Sequence, residues 1–308
     1  MPPLRLIFAG SPAAAVPSLE RLIASPHDVV AVVTREDTPQ GRKRVITPTP
    51  VATTAEAHGI PVIKTNRISS VADDLIALQP DLGVIVAYGG LVREPLLNAF
   101  PHGWINLHFS ILPKWRGAAP VQRAIMAGDT ETGASVFRLV DELDAGPVFA
   151  EQRTPIGRHQ NAGTLLEQLA DSGADTLLEV VDALADGTAV ATEQTGDATL
   201  APKMVLADGR IDWTLDAEQI AARIRGTTPE PGAFTTHGET RVKVLDASVA
   251  HDITGLAPGA VDLRSGQVVV GTGDGAIQLV TVLPAGRRTM EAAAWWRGRS
   301  ADETAVLS

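Results

Sequence analysis

Three polar residues in the middle of the chain have the types and the spacing for a reaction at a carbonyl group. Asn106 and His108 lie two positions apart at the end of an apolar run, so on a β-strand their side chains point to the same face. An amide donor beside an imidazole suits a step in which a carbonyl oxygen gains negative charge while a proton moves. Asp144, on a turn that contains Gly and Pro, adds a carboxylate that only the fold can bring to this pair.

Each of these residues also has an ordinary structural interpretation. An Asn at the end of a strand is commonly a cap or turn residue, and a single His is commonly a satisfied surface or core group. Asp144 stands before Ala145 and Gly146, and Asp at such a place is typical of turns, where its side chain bonds to nearby backbone. The residue types alone therefore leave both the catalytic and the structural interpretation open.

The elements that must position these residues alternate between apolar runs and amphipathic stretches. Nearly continuous apolar runs indicate buried strands, and they cover residues 4–9, 29–33, 82–87 and 104–107. Helical spacing of apolar residues predicts helices over residues 16–23, 71–78 and 91–100. A long helix is predicted to start at a capping box formed by Thr164 and Glu167 and to end near Gly187. This alternation predicts an α/β domain with a mostly parallel sheet, whose ligands bind beyond the carboxyl ends of the strands.

The last third of the chain has a different pattern. From Gly187 to about Met204 the chain is rich in Thr, Ala and Gly with weak periodicity, which predicts a linker that we assign to residues 190–206. Beyond it, short alternating runs separated by Gly-rich turns predict a small β-barrel. The predicted organisation is therefore a catalytic domain over 1–189, a linker over 190–206 and a smaller domain over 207–308. Gly271 to Gly275 falls between two strand-like runs, so it predicts a hairpin turn and not a dinucleotide site.

Composition and charge limit the classes of function. The chain has 26 basic and 36 acidic residues, which argues against a uniformly basic nucleic-acid binder, but screening confines exposed charges to about 8 Å, so local patches decide such binding. The absence of Cys excludes disulfides and thiolate metal sites. The His residues have no metal-binding spacing, so no metal is expected. No targeting signal or membrane-length apolar run is recognised, and we expect a monomeric cytoplasmic protein.

An unusually long connection follows the second predicted strand. A connection from strand to helix is usually about two to six residues long, whereas this one covers residues 35–50 and carries Arg42, Lys43 and Arg44 beside Gly41. Such a cation cluster suits phosphates and the splayed end of an acceptor stem. On the residues alone, a solvated run of charge is the simpler interpretation.

Several motifs together resemble the folate-dependent formyltransferase superfamily. The pattern Asn-x-His-x-Ser-x-Leu-Pro covers residues 106–113, and a Trp-Arg-Gly-Ala-Ala-Pro run and a Leu-Asp-x-Gly turn follow it at 115–120 and 143–146. Further segments are similar to the members that formylate methionyl-tRNA: residues 8–12, 86–89, 210–213 and 284–288. The likeness extends over nearly the whole chain. It implies an α/β fold with a Rossmann-like formyltransferase domain, followed by an OB-like β-barrel domain that binds tRNA.

The resemblance also implies a reaction and a set of site residues. The reaction is transfer of the formyl group of 10-formyltetrahydrofolate, a co-substrate, to the free amino group of methionyl-initiator tRNA. The catalytic residues it implies are Asn106, His108 and Asp144. The folate contacts it implies are Ser110, Ile111, Leu112, Pro113, Val86, Ala87, Tyr88, Gly89, Gly90 and Asp141. The tRNA contacts it implies are Arg42, Lys43, Arg44, Lys243, Arg287 and Arg288.

In such a reaction, we expect the Asn106 amide and a protonated His108 to donate hydrogen bonds to the oxyanion. We expect Asp144 to hold the imidazole and to favour its cationic form. Two positions depart from the family's pattern: Phe109 stands where Gly is more common, and Gly90 stands where a larger apolar residue is familiar. The first bears on the backbone of the folate loop, and the second bears on the pocket wall.

Other functions remain open at this point. A formyltransferase that acts on a sugar-nucleotide amine has a similar second domain, but the loop at Arg42 to Arg44 and the run at 115–120 favour the tRNA substrate. An enzyme that acts on glycinamide ribonucleotide is generally a shorter, single domain. A non-catalytic RNA-binding translation factor is the third alternative, and the joint presence of Asn106, His108 and Asp144 argues against it.

Overall fold

The N-terminal part of the chain forms one large sheet and two small ones. The computed structural model describes residues 2–41, 44–299 and 305–308. The strands of this part are β1 (Arg5–Gly10), β2 (Asp28–Thr34), β3 (Thr38–Gln40), β4 (Val45–Thr47), β5 (Val62–Lys64), β6 (Leu82–Val86), β7 (Trp104–His108), β8 (Arg116–Gly117), β9 (Glu131–Arg138), β10 (Val148–Pro155) and β11 (Leu200–Ala201). The large sheet has the order β10-β9-β7-β6-β1-β2-β5. Its strands from β7 to β5 are parallel, while β9 and β10 are antiparallel to their neighbours.

The helices described in this part of the chain are α1 (Val16–Ile23), α2 (Pro50–Ala57), α3 (Ala72–Ala77), α4 (Pro120–Met126) and α5 (Ala162–Ala185). The start of α2 is defined by local chemistry. Thr49 precedes the helix, and its side chain accepts a hydrogen bond from the Ala52 amide at 3.0 Å. Pro50 occupies the first position, where a missing N–H has no cost.

The predicted strands over 4–9, 29–33, 82–87 and 104–107 are confirmed as β1, β2, β6 and β7. The predicted helix over 91–100 is wrong, since only a 3-10 turn, Leu96–Asn98, forms there. Pro95 has no N–H to give to a helix and disfavours helical geometry at Glu94.

The predicted capping box at Thr164 and Glu167 is also wrong. The helix α5 begins at Ala162, because the Asn161 side chain lies one turn earlier and accepts a hydrogen bond from the Thr164 amide at 3.0 Å. The predicted end is confirmed, since α5 stops at Ala185 and Gly187 has a positive φ of 68°.

Close packing under the sheet fixes the edge at which the site residues lie. The Trp104 ring is fully buried over Gly83, where an added Cβ would lie 2.2 Å from the ring, so the strand pair β6–β7 requires a glycine there. At the end of β1, an added Cβ on Gly10 would lie 2.9 Å from the Val86 carbonyl. Because β1 pairs with β6 and β6 pairs with β7 in parallel, the carboxyl ends of these strands lie at one edge of the sheet, as the sequence predicted.

The C-terminal part is built around a second, mostly antiparallel sheet. Its strands are β12 (Ala233–His237), β13 (Thr240–Val249), β14 (Val261–Arg264), β15 (Gln267–Gly271), β16 (Ala276–Pro284) and β17 (Met290–Glu291), and its helices are α6 (Ala217–Gly226) and α7 (Ala292–Arg297). The sheet order is β12-β13-β16-β15-β14, with β17 beside β16. The predicted hairpin at Gly271 to Gly275 is confirmed, since it joins the antiparallel pair β15 and β16.

Residues 305–308 close this second sheet. The Val261 amide donates to the Ala305 carbonyl at 2.8 Å, beside β14. The Thr236 amide, on β12, donates to the Ser308 carbonyl at 2.7 Å. The segment thus pairs with both edge strands, and its Leu307 side chain, 2% exposed, belongs to the apolar core. The closure agrees with the small β-barrel predicted from the sequence.

The chain divides into two compact units that are not continuous in sequence. The first comprises Met1–Pro120, Glu131–Pro155 and Leu166–Ala201, and the second comprises Val121–Thr130, Ile156–Leu165 and Pro202–Ser308. Among the residues that the structure describes, no helix is long and apolar enough to cross a membrane.

Candidate active site

Asn106 and His108 lie on β7 at the carboxyl edge of the large sheet. Asn106 pairs in register with Ile85 on β6 and with Phe137 on β9, while His108 pairs with Ser135 on β9. The alternation of side chains along a strand puts Asn106 and His108 on one face. His108 is 6% exposed and Asn106 is half-buried, so the imidazole is largely shielded from water.

The fold brings Asp144 to this pair. Its Oδ2 atom lies 3.8 Å from His108 Nδ1, and the two side chains are 10% and 6% exposed. Asp144 has a positive φ of 47°, which is unfavourable for a residue with a Cβ. The Gly117 amide donates to Asp144 Oδ2 at 2.7 Å, so a backbone hydrogen bond holds the carboxylate. The three residues singled out from the sequence therefore belong to one region of the first unit.

The other nitrogen of His108 has a backbone partner. His108 Nε2 lies 2.8 Å from the Trp115 carbonyl oxygen, and a carbonyl oxygen can only accept. The hydrogen bond therefore places a proton on Nε2, and a neutral ring carries its lone pair on Nδ1, on the side of Asp144. Trp115 itself has a positive φ of 62°, which turns its carbonyl toward the imidazole.

Burial lowers the pKa of His108 below its ordinary value, while the Asp144 charge and the Trp115 carbonyl act in the opposite direction. The loss of hydration destabilises the cationic ring more than these two neighbours stabilise it. The structure thus favours a neutral resting His108 over the protonated ring expected from the sequence. A neutral ring with Nδ1 unprotonated can take up a proton, and the resulting cation would be stabilised by Asp144 and by the Trp115 carbonyl.

The loop after β7 is held by two serines. The fully buried Ser110 donates from its hydroxyl to the Lys114 carbonyl at 2.6 Å, which closes the loop on itself. Ser135 donates to the Ser110 carbonyl at 2.7 Å and accepts from the Leu112 amide at 3.2 Å. Ile111 and Pro113 are half-exposed in this loop. Sequence reasoning missed Ser135, which is fully buried in β9, where all residues from Thr132 to Phe137 are buried.

The loop after β6 presents backbone and buries its aromatic side chain. Ala87 and Gly89 have positive φ values of 50° and 74°. Tyr88 is 1% exposed, and its hydroxyl donates to the Thr65 carbonyl at 2.8 Å. An added Cβ on Gly90 would lie 2.6 Å from the Tyr88 ring, so the absence of a larger residue at Gly90 leaves room for that ring.

Arg35 ties the same loop to β2. Its Nε donates to the Tyr88 carbonyl at 3.2 Å, and its Nη2 donates to the Gly89 carbonyl. Its guanidinium also lies 5.6 Å from the centre of the Tyr88 ring. In the sequence, Arg35 is only the first residue of a long connection. Its contacts with the loop after β6 depend on the fold, because Tyr88 and Gly89 are more than 50 positions away.

The two loops predicted to enclose a pterin approach each other. Arg93, just after the β6 loop, lies 3.9 Å from Asp141, on the Asp144 turn. Leu91 and Leu143, on these same segments, are 61% and 50% exposed. Exposed leucines at the mouth of a polar site offer apolar surface to a flat aromatic ring.

The connection over residues 35–50 folds as a short hairpin of β3 and β4. Arg42 and Lys43 lie outside the described residues. Arg44 is exposed with a positive φ of 50° at the start of the returning strand. Val45 and Ile46, next to it on β4, are 58% and 61% exposed, so apolar surface accompanies the charge.

The second unit carries the other predicted tRNA contacts. Lys243 lies on β13, in register with Leu283 on β16, and is half-exposed. Arg287 and Arg288 are exposed in the turn that follows β16. Arg241, two positions before Lys243, stacks its guanidinium 3.6 Å from the centre of the Phe234 ring. The sequence did not single out Arg241, although its alternation with Lys243 puts both on one face of β13.

No cluster of three or more His, Cys, Asp and Glu side chains suited to a metal ion occurs within 2–41, 44–299 and 305–308. The functional groups gathered at the sheet edge are an amide, an imidazole, a carboxylate and backbone. This donor set suits proton transfer and hydrogen bonding to an oxyanion.

Comparisons with known proteins agree with this chemistry. The family model described as formyl transferase matches residues 4–181, and the model described as formyl transferase, C-terminal domain, matches residues 203–300. A methionyl-tRNA formyltransferase of Clavibacter michiganensis subsp. michiganensis is 57% identical over 296 residues, which covers 96% of this chain and 97% of that protein. A methionyl-tRNA formyltransferase of Leifsonia xyli subsp. xyli is 54% identical and covers 99% of this chain and 100% of that protein.

A solved structure is similar in fold. The N-formyltransferase from Helicobacter canadensis, in complex with folinic acid and dTDP-3-aminofucose, superposes with a TM-score of 0.71 and covers 90% of this chain and 98% of that protein. Its sequence identity is 17%, so this likeness is one of fold and does not extend to the substrate.

Proposed function

The chain belongs to the formyl transferase family, and from that premise we propose how its residues transfer a formyl group from 10-formyltetrahydrofolate to the amino group of methionyl-initiator tRNA. The observation that carries the chemistry is the buried His108–Asp144 pair at the carboxyl edge of the sheet. Methionyl-tRNA as the formyl acceptor is supported by the 57% identity to a methionyl-tRNA formyltransferase over nearly the whole chain.

The folate supplies a formyl carbon that is open to attack by an amine. As the amine approaches, the formyl oxygen gains negative charge and needs a preorganised donor. Asn106 lies on the same face of β7 as His108 and is half-buried, which supports its amide as the donor to that oxygen. Loss of one such donor typically lowers turnover about 10²- to 10³-fold.

The attacking amine must lose a proton as the new C–N bond forms. His108 is suited to receive it, directly or through water, because burial keeps the ring neutral and Nδ1 carries the lone pair. Once protonated, the ring donates to the Trp115 carbonyl and faces the Asp144 carboxylate. The same proton can then pass to the folate nitrogen that leaves, so the pair ends the cycle in its starting state.

The geometry of the two loops supports a folate site. Ser110 and Ser135 fix the backbone of residues 110–114 by three hydrogen bonds. Tyr88 is turned inward, so the loop of Val86 to Gly90 offers peptide groups, which suit the donor and acceptor edge of a pterin. Leu91 and Leu143 supply exposed apolar surface beside it.

For the tRNA, we propose two cationic surfaces, one on each unit. The first includes Arg44, which is exposed just before β4, together with Arg42 and Lys43, which precede it in the sequence. The second is the face of β13 and the turn after β16, which is formed by Lys243, Arg287 and Arg288 together with Arg241. We also propose that the protein acts as a monomer, and in the cytoplasm because its proposed substrate is a tRNA.

A parallel assay tests the acceptor. Purified protein is given 10-formyltetrahydrofolate with methionyl-initiator tRNA, with a sugar-nucleotide amine or with glycinamide ribonucleotide, and formyl transfer is followed for each. We expect transfer to the tRNA to exceed transfer to either small amine by orders of magnitude in kcat/KM. Faster transfer to the sugar nucleotide would replace the proposed acceptor and leave the formyl chemistry in place.

The salt dependence of binding tests the hairpin. Replacing Arg42, Lys43 and Arg44 together by Ala should flatten the plot of log affinity for tRNA against log salt, by up to about 0.7 to 0.9 per lost phosphate contact. Folate affinity should not change. Parallel salt plots for the variant and the wild type would remove the hairpin from the tRNA surface, whereas a loss of folate binding would indicate a damaged sheet domain.

A further inference from the structure

The segment of residues 192–201, predicted from the sequence as part of a linker, is bound along its length to the active-site loops. Thr192 exchanges two backbone hydrogen bonds of 2.8 Å with Val148 at the start of β10. Leu200–Ala201 pairs as β11 with Arg116–Gly117. All of these residues belong to the first unit. The segment is therefore part of the catalytic fold.

Within this segment, Gln194 makes four side-chain hydrogen bonds to residues of other loops and strands. Its Nε2 donates to the Asp144 carbonyl at 2.8 Å and to the Gly146 carbonyl at 2.9 Å. Its Oε1 accepts from Arg116 Nε at 3.2 Å and from Arg116 Nη2 at 2.7 Å. Arg116 in turn lies 3.1 Å from Glu142 on the same turn as Asp144. The half-buried Gln194 side chain thus links Arg116, on β8, to the turn that carries Asp144.

Asp144 needs such support because its backbone has a positive φ of 47°. Asp tolerates this conformation better than most residues with a Cβ, but the conformation still has a cost that contacts from the surroundings offset. The Gly117 amide holds its carboxylate, and Gln194 holds its carbonyl. Loss of the Gln194 amide would release the turn and allow Asp144 to move away from His108 Nδ1.

Thr199 does the same for the other partner of His108. Its hydroxyl accepts from the Trp115 amide at 2.9 Å, and its carbonyl accepts from the Arg116 amide at 2.8 Å. Trp115 is the residue whose carbonyl accepts from His108 Nε2. The segment therefore fixes both groups that face the imidazole, one through Gln194 and one through Thr199.

We propose that Gln194 is a positioning residue for the formyl transfer, which acts by holding the Asp144 turn against His108. The inference rests on the proposed function, in which the His108–Asp144 pair handles the proton. Gln194 does not touch a substrate in this proposal, so its substitution should lower kcat and leave the KM for tRNA unchanged.

Two substitutions separate the contacts of Gln194. Gln194→Leu keeps the volume and removes all four hydrogen bonds. Gln194→Glu keeps an acceptor for Arg116 but cannot donate to the two carbonyls when it is ionised. We expect both variants to lower kcat about 10- to 100-fold, as for a catalytic group displaced by about 1 Å. Thr195→Ala, on the next, exposed residue of the same segment, is the control and should retain wild-type kcat.

The pH profile distinguishes positioning from a loss of fold. If Asp144 moves away, the charge that raises the His108 pKa is lost, so the acid limb of kcat against pH should move to lower pH in Gln194→Leu. Thermal unfolding of each variant checks that the fold is retained. A folded Gln194→Leu enzyme with wild-type kcat and acid limb would overturn the proposal, as would a defect confined to the KM for tRNA.

A double-mutant cycle with Asp144→Asn distinguishes the positioning role of Gln194 from the catalytic role of the His108–Asp144 pair. If Gln194 acts through Asp144, its substitution should have little further effect in the Asp144→Asn background. Multiplicative losses in the double variant would overturn the positioning role alone. Wild-type turnover of Asp144→Asn itself would overturn the proposed function of the pair, and the positioning role with it.

Discussion

Replacement of Asp144 by Asn tests the central electrostatic contact of the site. The substitution keeps the size of the side chain and removes the negative charge 3.8 Å from His108 Nδ1. At that distance, with an effective dielectric constant of about 20, the attraction to a protonated ring is about 4 kcal/mol. Each 1.4 kcal/mol changes a rate about tenfold, so the largest expected loss is about 10³-fold. Because the carboxamide still interacts with its neighbours, we expect a fall in kcat of about 10²- to 10³-fold.

The position of the acid limb in the pH profile gives an independent readout. Burial lowers the pKa of His108, and the Asp144 charge opposes that effect. Removing the charge therefore lowers the pKa further, and the acid limb of kcat, where the resting base becomes protonated, should move to lower pH. The profile is measured by single-turnover formyl transfer at saturating folate and methionyl-tRNA, with folate affinity as the control for the fold. An unchanged limb and plateau in a folded variant would refute the role of Asp144.

Three further predictions concern packing and charge. Gly90→Ala would place a Cβ 2.6 Å from the Tyr88 ring, and we expect a loss of about 1 to 3 kcal/mol in unfolding free energy together with weaker folate affinity, measured by denaturation and by titration. Leu307→Ala removes a side chain that is 2% exposed in the core of the second sheet, and chemical denaturation should show a loss of about 2 to 5 kcal/mol. Burial alone would raise the pKa of Asp208, but the Val205 amide and Arg123 outweigh it and lower the pKa. The ionised Asp208 therefore stabilises the folded state at pH values above its unfolded pKa, and this stabilisation is lost as the pH falls through its lower folded pKa. Asp208→Asn should lower Tm at pH 7 and change Tm little at pH values below both pKa values.

Strong local patterns made most of the fold predictable. The buried strands β1, β2, β6 and β7 are continuous apolar runs in the sequence, and a strand of this kind has few alternatives once it is bounded by turn residues. The errors lie where one residue overrules a pattern. Pro95 prevents the helix that the leucines around it suggest, and Asn161 starts α5 one turn before Thr164. In both places, backbone hydrogen bonding outweighs the spacing of apolar side chains.

The candidate site was predictable to the extent that its residues are marked by type. Asn106, His108 and Asp144 stand out by residue type and spacing, but only the resemblance favoured a catalytic role over a structural one for the three. The protonation state was not predictable, because it depends on how far water is excluded from His108. The expectation of a protonated ring started from the ordinary pKa of an exposed imidazole, whereas burial lowers the pKa of this one.

The residues that hold the site could not be found by pattern, because their partners are distant in sequence. Gln194 reaches Asp144 across 50 positions and Arg116 across 78, and Thr199 reaches Trp115 across 84. A stretch that satisfies its hydrogen bonds in this way needs no periodic apolar face, so it has the composition of a linker even though it is fixed to the sheet domain. Two non-glycine residues with positive φ beside His108, Trp115 and Asp144, are bound by this stretch. That conformation costs about 1 to 3 kcal/mol in a non-glycine residue, and the hydrogen bonds of residues 192–201 to Trp115 and Asp144 offset this cost, which supports our proposal that this remote segment positions the active site.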